Sequence, residues 1–251
     1  MYNPFSLENK TILVTGASSG IGRSIAVECS RLGARVIITA RSENRLKQTL
    51  ETMEGDGHQS VIADLTKQDN IEKLVSELPE LDGVVQNAGF QSNRELCNYI
   101  SHQNYLKTFS INLEAPIMLQ KNLLERKLLK KESSIVFIAS RAPFAPSPGN
   151  AVYSASKGAI IAYSKVLALE LAPKKIRVNS ICPAMVWTEM VHFESSISKK
   201  TYEEGQKKYP LKRFGTPEDI ALLTIYLLSD ASKWMTGSSI DITGGGEGIL
   251  T

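Results

Sequence analysis

Thr11-Ile12-Leu13-Val14-Thr15-Gly16-Ala17-Ser18-Ser19-Gly20-Ile21-Gly22 passes from an apolar, β-branched run into glycines spaced G-x-x-x-G-x-G. TILVT reads as a buried strand, and the residues from about Ile21 to Leu32 take a helical period that Gly33 stops. This strand, turn and helix form one βα unit, and the same alternation continues outward from it. Strands are predicted at Arg35–Ala40, Ser60–Ala63, Gly83–Gln86, Ser134–Ala139, Ile176–Ile181 and Ser239–Ile242. Helices are predicted at Ser42–Met53, Asp69–Leu78, roughly His102–Lys130, Asn150–Leu171 (ended by Pro173) and Pro217–Ser229. Thr216 is the expected N-cap of the last, with Pro217 at its first position. Strands separated by helices need crossovers, which are right-handed and build a parallel sheet covered on both faces. The expectation is an α/β fold, one domain over residues 1–251, with a doubly wound, parallel, seven-stranded sheet. Met190–Gly215 breaks the rhythm: it is charged and lacks a core strand. It follows the sixth strand, at the carboxyl edge where such sheets bind ligands, and is expected to be a substrate lid.

Composition excludes several classes. Lys and Arg number 29 against 26 Asp and Glu, and a formal charge of +3 is too mild to suggest nucleic acid. With 42% hydrophobic residues, 17 Gly and 10 Pro, the chain is neither disordered nor collagen-like. Cys29, Cys97 and Cys182 are widely spaced with no CxxC, and read as buried thiols of a reducing compartment. His58, His102 and His192 are isolated, so no metal site is expected. No apolar run reaches the roughly 18 residues of a membrane span. Met1–Lys10 has no apolar h-region, so no signal peptide is expected. The reading is a soluble, cytoplasmic protein with no membrane or nucleic-acid partner.

The glycine turn points backbone N–H groups and a helix N-terminus at an anion, where a Cβ would block a positive φ or the approaching phosphate. The spacing suits a dinucleotide pyrophosphate, and alone it also fits an ordinary βα turn. Farther along stand Asn87-Ala88-Gly89, after the fourth strand, and Tyr153-Ser154-Ala155-Ser156-Lys157. With TGASSGIG these resemble the short-chain dehydrogenase/reductase family. The resemblance spans nearly the whole chain, through Asp64-Leu65, Asn112, Ser140 and PLKRFGTPEDIA at Pro210–Ala221. It implies a Rossmann-like fold and a nicotinamide cofactor on Gly16, Ser18, Ser19, Gly20, Ile21 and Gly22. It also implies Asp64 and Leu65 at the adenine, and Asn87, Ala88 and Gly89 at the ribose. Pro183, Val186 and Thr188 would lie at the nicotinamide, with Tyr153 and Lys157 meeting both cofactor and substrate. Taken alone, Asp64 serves equally as a helix-start residue and Asn87 as a turn residue. Gln86, Ala184 and Thr243 depart from the family pattern. None removes a reacting group, though the Ala184 methyl is placed to narrow the nicotinamide pocket.

The end of the second strand bears on which dinucleotide is used. An acidic side chain there accepts hydrogen bonds from the adenosine ribose and repels a 2′-phosphate. Here Ala40 is followed by Arg41 and Ser42, and a guanidinium donates a forked, charge-assisted pair to phosphate. NADP(H) is therefore expected over NAD(H), by roughly tenfold to 150-fold if Arg41 contributes ~1.5–3 kcal/mol. The alternative is that Arg41 is a solvated arginine opening a polar helix. Many NADP-using relatives carry a second cation where the neutral Ser19 stands.

Tyr153 and Lys157, four apart, share one face of a predicted helix. A carbonyl that accepts hydride needs a proton at its oxygen, and a phenol of pKa about 10 gives one reluctantly. A nearby ammonium, helped by an oxidised nicotinamide, favours the phenolate; lowering that pKa by ~2–3 takes ~3–4 kcal/mol. Ser140 closes the fifth strand, placed to hydrogen-bond the substrate oxygen. The resemblance implies that Asn112 holds a water linking Lys157 to solvent. Singly, each of these residues is commonplace; in this order after a dinucleotide turn they read as a catalytic set.

The substrate is less legible. PLKRFGTPEDIA and the length resemble 3-oxoacyl-[acyl-carrier-protein] reductases, and also sugar, steroid and small-ketone reductases of the family. The expected partner is a small carbonyl or alcohol, including an acyl-carrier-protein or CoA thioester; a sugar or polyol dehydrogenase and a non-catalytic dinucleotide sensor are the alternatives. Lys130, Lys131, Lys174 and Lys175 form a candidate basic rim for an acidic carrier or a plain solvated face. Phe90, Phe144 and Trp187 are candidate pocket walls. Met190, Val191, Phe193 and Ile197 offer apolar lid surface, and Lys199, Lys200, Lys207 and Lys208 suit an anionic substituent or water. Ala151, Ala155, Gly158, Ala159 and Ala162 put small residues on one helix, which resembles the family's dimer contact. A homodimer or homotetramer is expected, unless that face packs only on its own sheet.

Overall fold

The computed structural model describes residues 2–188 and 199–246. The strands are β1 (Thr11–Thr15), β2 (Arg35–Ala40), β3 (Gln59–Ile62), β4 (Leu81–Gln86), β5 (Leu129–Ile138), β6 (Arg177–Pro183) and β7 (Ser239–Ile242). They form a 7-stranded sheet in the order β3-β2-β1-β4-β5-β6-β7. All neighbours run parallel. The helices are α1 (Gly20–Arg31), α2 (Glu43–Glu51), α3 (Gln68–Ser76), α4 (His102–Phe109), α5 (Ala115–Glu125), α6 (Ala151–Leu171), α7 (Lys199–Lys208) and α8 (Pro217–Leu228).

Strand side chains alternate between two apolar layers, so both faces must be covered. Ile12, Val14, Val36 and Ile38 point into one layer with Ile25 and Cys29 of α1, Leu46 of α2 and Ile225 of α8. Leu13, Ile37, Ile135 and Phe137 point into the other, with Leu74 of α3, Leu119 of α5 and Ile160 of α6. Each such side chain contributes roughly 1.5–3 kcal/mol by leaving water. Strand order reverses between β1 and β4, which opens a crevice at their carboxyl ends.

Several expectations shift. The long helix is interrupted: α4 passes through a π-turn at Ser110–Glu114 into α5, and the chain leaves the helix at Lys127 with φ 56. β5 begins at Leu129, earlier than expected, because Leu129 pairs with Leu81 before a bulge. There the register jumps to Gly83–Ser134 and Glu132 takes φ 68. Asn150 is the N-cap of α6, not its first residue. Thr216 caps α8 as expected, in a reciprocal box with Asp219. The Arg213 guanidinium also binds Asp219 and, with the Thr216 bonds, holds its carboxyl down at about 2. Cys29 and Cys182 are buried, but Cys97 is exposed, since it lies on a surface 3-10 turn between β4 and α4.

The lysine run lies at the amino ends of β5 and β6, opposite the crevice, and so does not rim it. Two of its members are paired, Lys130 with Asp82 at 2.8 Å and Lys175 with Glu132 at 3.2 Å. Ala151, Ala155 and Ala162 of α6 are exposed, so that face does not pack on its own sheet. The expected lid contains α7, but Met190, Val191, Phe193 and Ile197, and the side chains of Lys199 and Lys200, lie outside the described residues. Among the described residues, no helix is long and apolar enough to cross a membrane and no metal-binding cluster occurs.

Candidate active site

The crevice is a cavity of about 820 Å³. Its floor is the β1–α1 turn, where Gly16 and Gly20 take φ +67 and +55. A Cβ on Gly16 would sit 2.8 Å from Ala88 Cα, and one on Gly22 would collide with both Asn87 Nδ2 and Gly16 O. Only glycine lets the two strand ends close this tightly. Thr15 ties them together: its hydroxyl accepts N–H bonds from Asn87 and Ala88 at 3.0 Å and donates to Val85 O at 3.3 Å. Asn87 Nδ2 returns bonds to Thr15 O and Gly16 O at 2.9 and 3.2 Å. Gly22→Ala is expected to force the turn off Asn87. Overpacking of this kind costs typically 1–3 kcal/mol, and dinucleotide binding should fall at least tenfold. Thermal unfolding with a binding titration checks it; unchanged affinity would show that the glycine is not needed for the cradle.

Every residue expected at the cofactor lines this cavity: Gly16, Ser18, Ser19, Gly20, Ile21 and Gly22; Arg41, Ser42, Asp64 and Leu65; Asn87, Ala88 and Gly89; Pro183, Val186 and Thr188. Ser140, Tyr153 and Lys157 line it too. A polar floor shaped by absent Cβ atoms, with a cation at one end and titratable groups at the other, fits an elongated anionic dinucleotide. Arg45, Gln91, Ile111 and Met185 also line it and escaped the sequence reading. Arg45 follows Ser42 by three on α2, so helical spacing was an available signal. Of the candidate walls only Phe90 lines the cavity. Phe144 is half exposed under the Arg141 guanidinium, and Trp187 stacks on Phe214 at 6.0 Å.

At the reacting end, the Ser140 hydroxyl accepts the Ala142 N–H at 3.1 Å and shares the cavity wall with Tyr153. Lys157 is buried, and its Nζ donates to Ile138 O at 2.9 Å. Burial brings its pKa down to about 8. Burial also pushes the Tyr153 phenol up, opposed by the Ser140 hydroxyl. The lowered phenol expected from sequence counts on an oxidised nicotinamide beside it; in the chain alone burial raises it. Cys182 is buried beside Lys157, and its thiol is pushed up to about 11, chiefly by burial.

Asn112 does not line the cavity. It sits in the π-turn, almost wholly buried, with three hydrogen bonds to protein groups. Nδ2 donates to Phe90 O at 2.9 Å and to Ser156 Oγ at 3.1 Å, and Oδ1 accepts the Phe90 N–H at 2.7 Å. It thus joins the loop after β4 to the helix that carries Tyr153 and Lys157.

The family model described as Enoyl-(Acyl carrier protein) reductase matches residues 16–247. The 3-oxoacyl-[acyl-carrier-protein] reductase FabG of Rickettsia prowazekii is 33% identical over 239 residues, covering 95% of this chain and 97% of that one. The crystal structure of a single-substitution variant of actinorhodin polyketide ketoreductase with NADPH superposes with a TM-score of 0.86 at 29% identity, covering 98% of each chain. The 3-ketoacyl-(acyl-carrier-protein) reductase from Brucella melitensis, complexed with NADH, gives 0.85 at 27% identity, covering 97% of this chain and 100% of that one.

Proposed function

Because the chain belongs to the short-chain dehydrogenase/reductase family, and is an oxidoreductase by that membership, we propose that it is an NADP(H)-dependent reductase of a 3-oxoacyl thioester. One observation carries the reading: Tyr153, one helical turn from Lys157, opens with Ser140 onto the same cavity as the glycine turn and Arg41. The nicotinamide, when bound, supplies the hydride. Tyr153 Oη gives its proton to the carbonyl oxygen as charge develops there, and the Ser140 hydroxyl holds that oxygen. Lys157, charged below about 8, stabilises the phenolate left behind. Asn112 positions α6 through its Nδ2 bonds to Phe90 O and Ser156 Oγ, and its Oδ1, which accepts the Phe90 N–H, keeps a second lone pair for the relay water expected from the sequence.

Arg41 supports the phosphorylated cofactor. The relatives include one structure with NADPH and one with NADH, so likeness leaves the preference to the residues themselves. In this reading residues 1–251 form one dinucleotide-binding domain, with 190–215 as a lid over the acyl chain. The described base of that lid is pinned near the cavity by the Val186–Gly215 bridge and by Tyr209 against Phe214. Exposed Ala155, Ala162, Val166 and Leu169 on α6, beside Leu106 on α4, support assembly with further copies of the chain as a dimer or tetramer. Buried free thiols at Cys29 and Cys182 suit the cytoplasm.

The test is cofactor oxidation with acetoacetyl-CoA, using NADPH and NADH on the parent chain and on Arg41→Ala. NADPH should be used at least tenfold better, and the variant should lose about that factor for NADPH alone. A preference for NADH would remove the phosphate assignment. Binding of NADPH without thioester turnover would remove the substrate assignment and turn attention to sugar or polyol oxidation.

A further inference from the structure

The glycine turn meets a ligand with its backbone, so the directions of its peptide planes decide what it holds. Gly16 N and Ala17 N both donate to Thr39 O, at 2.8 and 3.3 Å. The next two N–H groups, of Ser18 and Ser19, have no partner among the described residues, and both residues line the cavity. A trans peptide sets its C=O and N–H in opposite directions. Whatever ties the carbonyls of Ala17 and Ser18 on one side therefore aims these two N–H groups to the other.

Two side chains tie them, and neither lines the cavity. Arg23, on α1, donates from Nη2 to Ser18 O at 2.6 Å and from Nε to Thr49 Oγ1 at 3.2 Å. Thr49, fully buried on α2, shares its own hydroxyl proton between Ala17 O at 2.9 Å and Arg45 O at 3.0 Å. Both carbonyls are thus held from behind the turn, which leaves the Ser18 and Ser19 N–H groups facing the ligand space. The segment needs such ties, because Gly16 and Gly20 flank it with positive φ and lend it little stiffness of their own. N–H donors fixed in advance bind an anion without the cost of ordering them on arrival.

We propose that Arg23 and Thr49 are positioning residues for the dinucleotide pyrophosphate, acting through the Ser18 and Ser19 N–H groups; this rests on the cofactor placement above. The test titrates NADPH and NADH calorimetrically into the full chain and into Arg23→Met, Arg23→Lys and Thr49→Val, and follows the Ser18 and Ser19 amide signals by NMR. Arg23→Met should lose about tenfold for both dinucleotides alike, because the pyrophosphate is common to them. Thr49→Val, which removes the hydroxyl alone, should lose about threefold for both. Arg23→Lys should recover most of the loss, since an ammonium can still donate to Ser18 O. Saturation with NADPH should move both amide protons downfield in the parent, and that shift should shrink in saturated Arg23→Met. Unchanged affinity in Arg23→Met, or a loss for NADPH alone, would overturn the inference. So would a loss that Arg23→Lys does not rescue and that leaves the amide shifts intact, which would mark Arg23 as a packing residue. A parent that prefers NADH, with the common loss in Arg23→Met, would support the inference and remove only the NADP(H) preference. A parent that binds neither dinucleotide would overturn it together with the cofactor reading.

Discussion

Tyr153→Phe is expected to lower kcat for carbonyl reduction by about 10²–10⁴-fold, the usual contribution of a positioned general acid. Dinucleotide affinity should stay within about twofold, because the ring, its packing and the Lys157 contact are all kept. The phenol is an acidic O–H beside Ser140 at the cavity wall. Burial makes it a weaker acid than in water, so it stays protonated until a developing oxyanion draws the proton off. Rapid-quench turnover with a separate binding titration checks both halves. A variant that keeps more than about a tenth of kcat would show that the proton comes from elsewhere. A variant that loses binding and turnover alike would mark Tyr153 as a packing residue.

Lys157→Met should separate stability from activity with opposite signs. A lysine whose folded pKa falls from 10.5 to about 8 is held against its own charge, because the unfolded chain binds the proton more tightly. Below about 8 both states are protonated and the folded state carries the full penalty. Between there and 10.5 the penalty fades, and above 10.5 both states are neutral. Removing the amine should therefore stabilise the cofactor-free chain at pH 7, by about 3 kcal/mol at most from the pKa difference. The bond lost to Ile138 O subtracts about 1 kcal/mol. At about 2–4 °C per kcal/mol the melting temperature should rise by several degrees, while turnover disappears. The rise should vanish by pH 10.5. A lower melting temperature at pH 7 would mean that Lys157 is a structural strut rather than a strained functional group.

The stretch from Thr11 to Gly22 made the fold readable because β-branched runs, glycines and helix caps are local signals. β1, β2 and β7 end where their apolar runs end. The cavity residues were readable for a related reason: in a parallel sheet they fall just after strands, and on α6 they fall one turn apart. Other features depend on distant partners. The bulge before Ser134 exists because Leu129 finds Leu81 across the sheet, and nothing in Lys130–Ser133 announces it. The phenol of Tyr153 was expected to fall beside a bound nicotinamide, and the burial that raises it in the chain alone is a property of the closed fold. Arg45 read as one polar residue in a polar helix until α2 was set against the glycine turn. The place of the basic run was available and overlooked, because residues that open a parallel strand sit at the edge away from the ligand.

The π-turn at Ser110–Glu114 is a phase slip. A π-turn carries about one extra residue, and each residue of an α-helix turns the chain by roughly 100°. Angular positions counted along α4 therefore do not continue onto α5. Tyr105 and Phe109 obey ordinary four-residue spacing on one side, with ring centres 4.6 Å apart. The same count carried past Asn112 lands on the wrong side of the rod. Any redesign of the outer surface from 102 to 125 must treat it as two dials with separate zeros. The offset between those zeros comes from the π-turn, where the Asn112 amide grips Phe90 and Ser156.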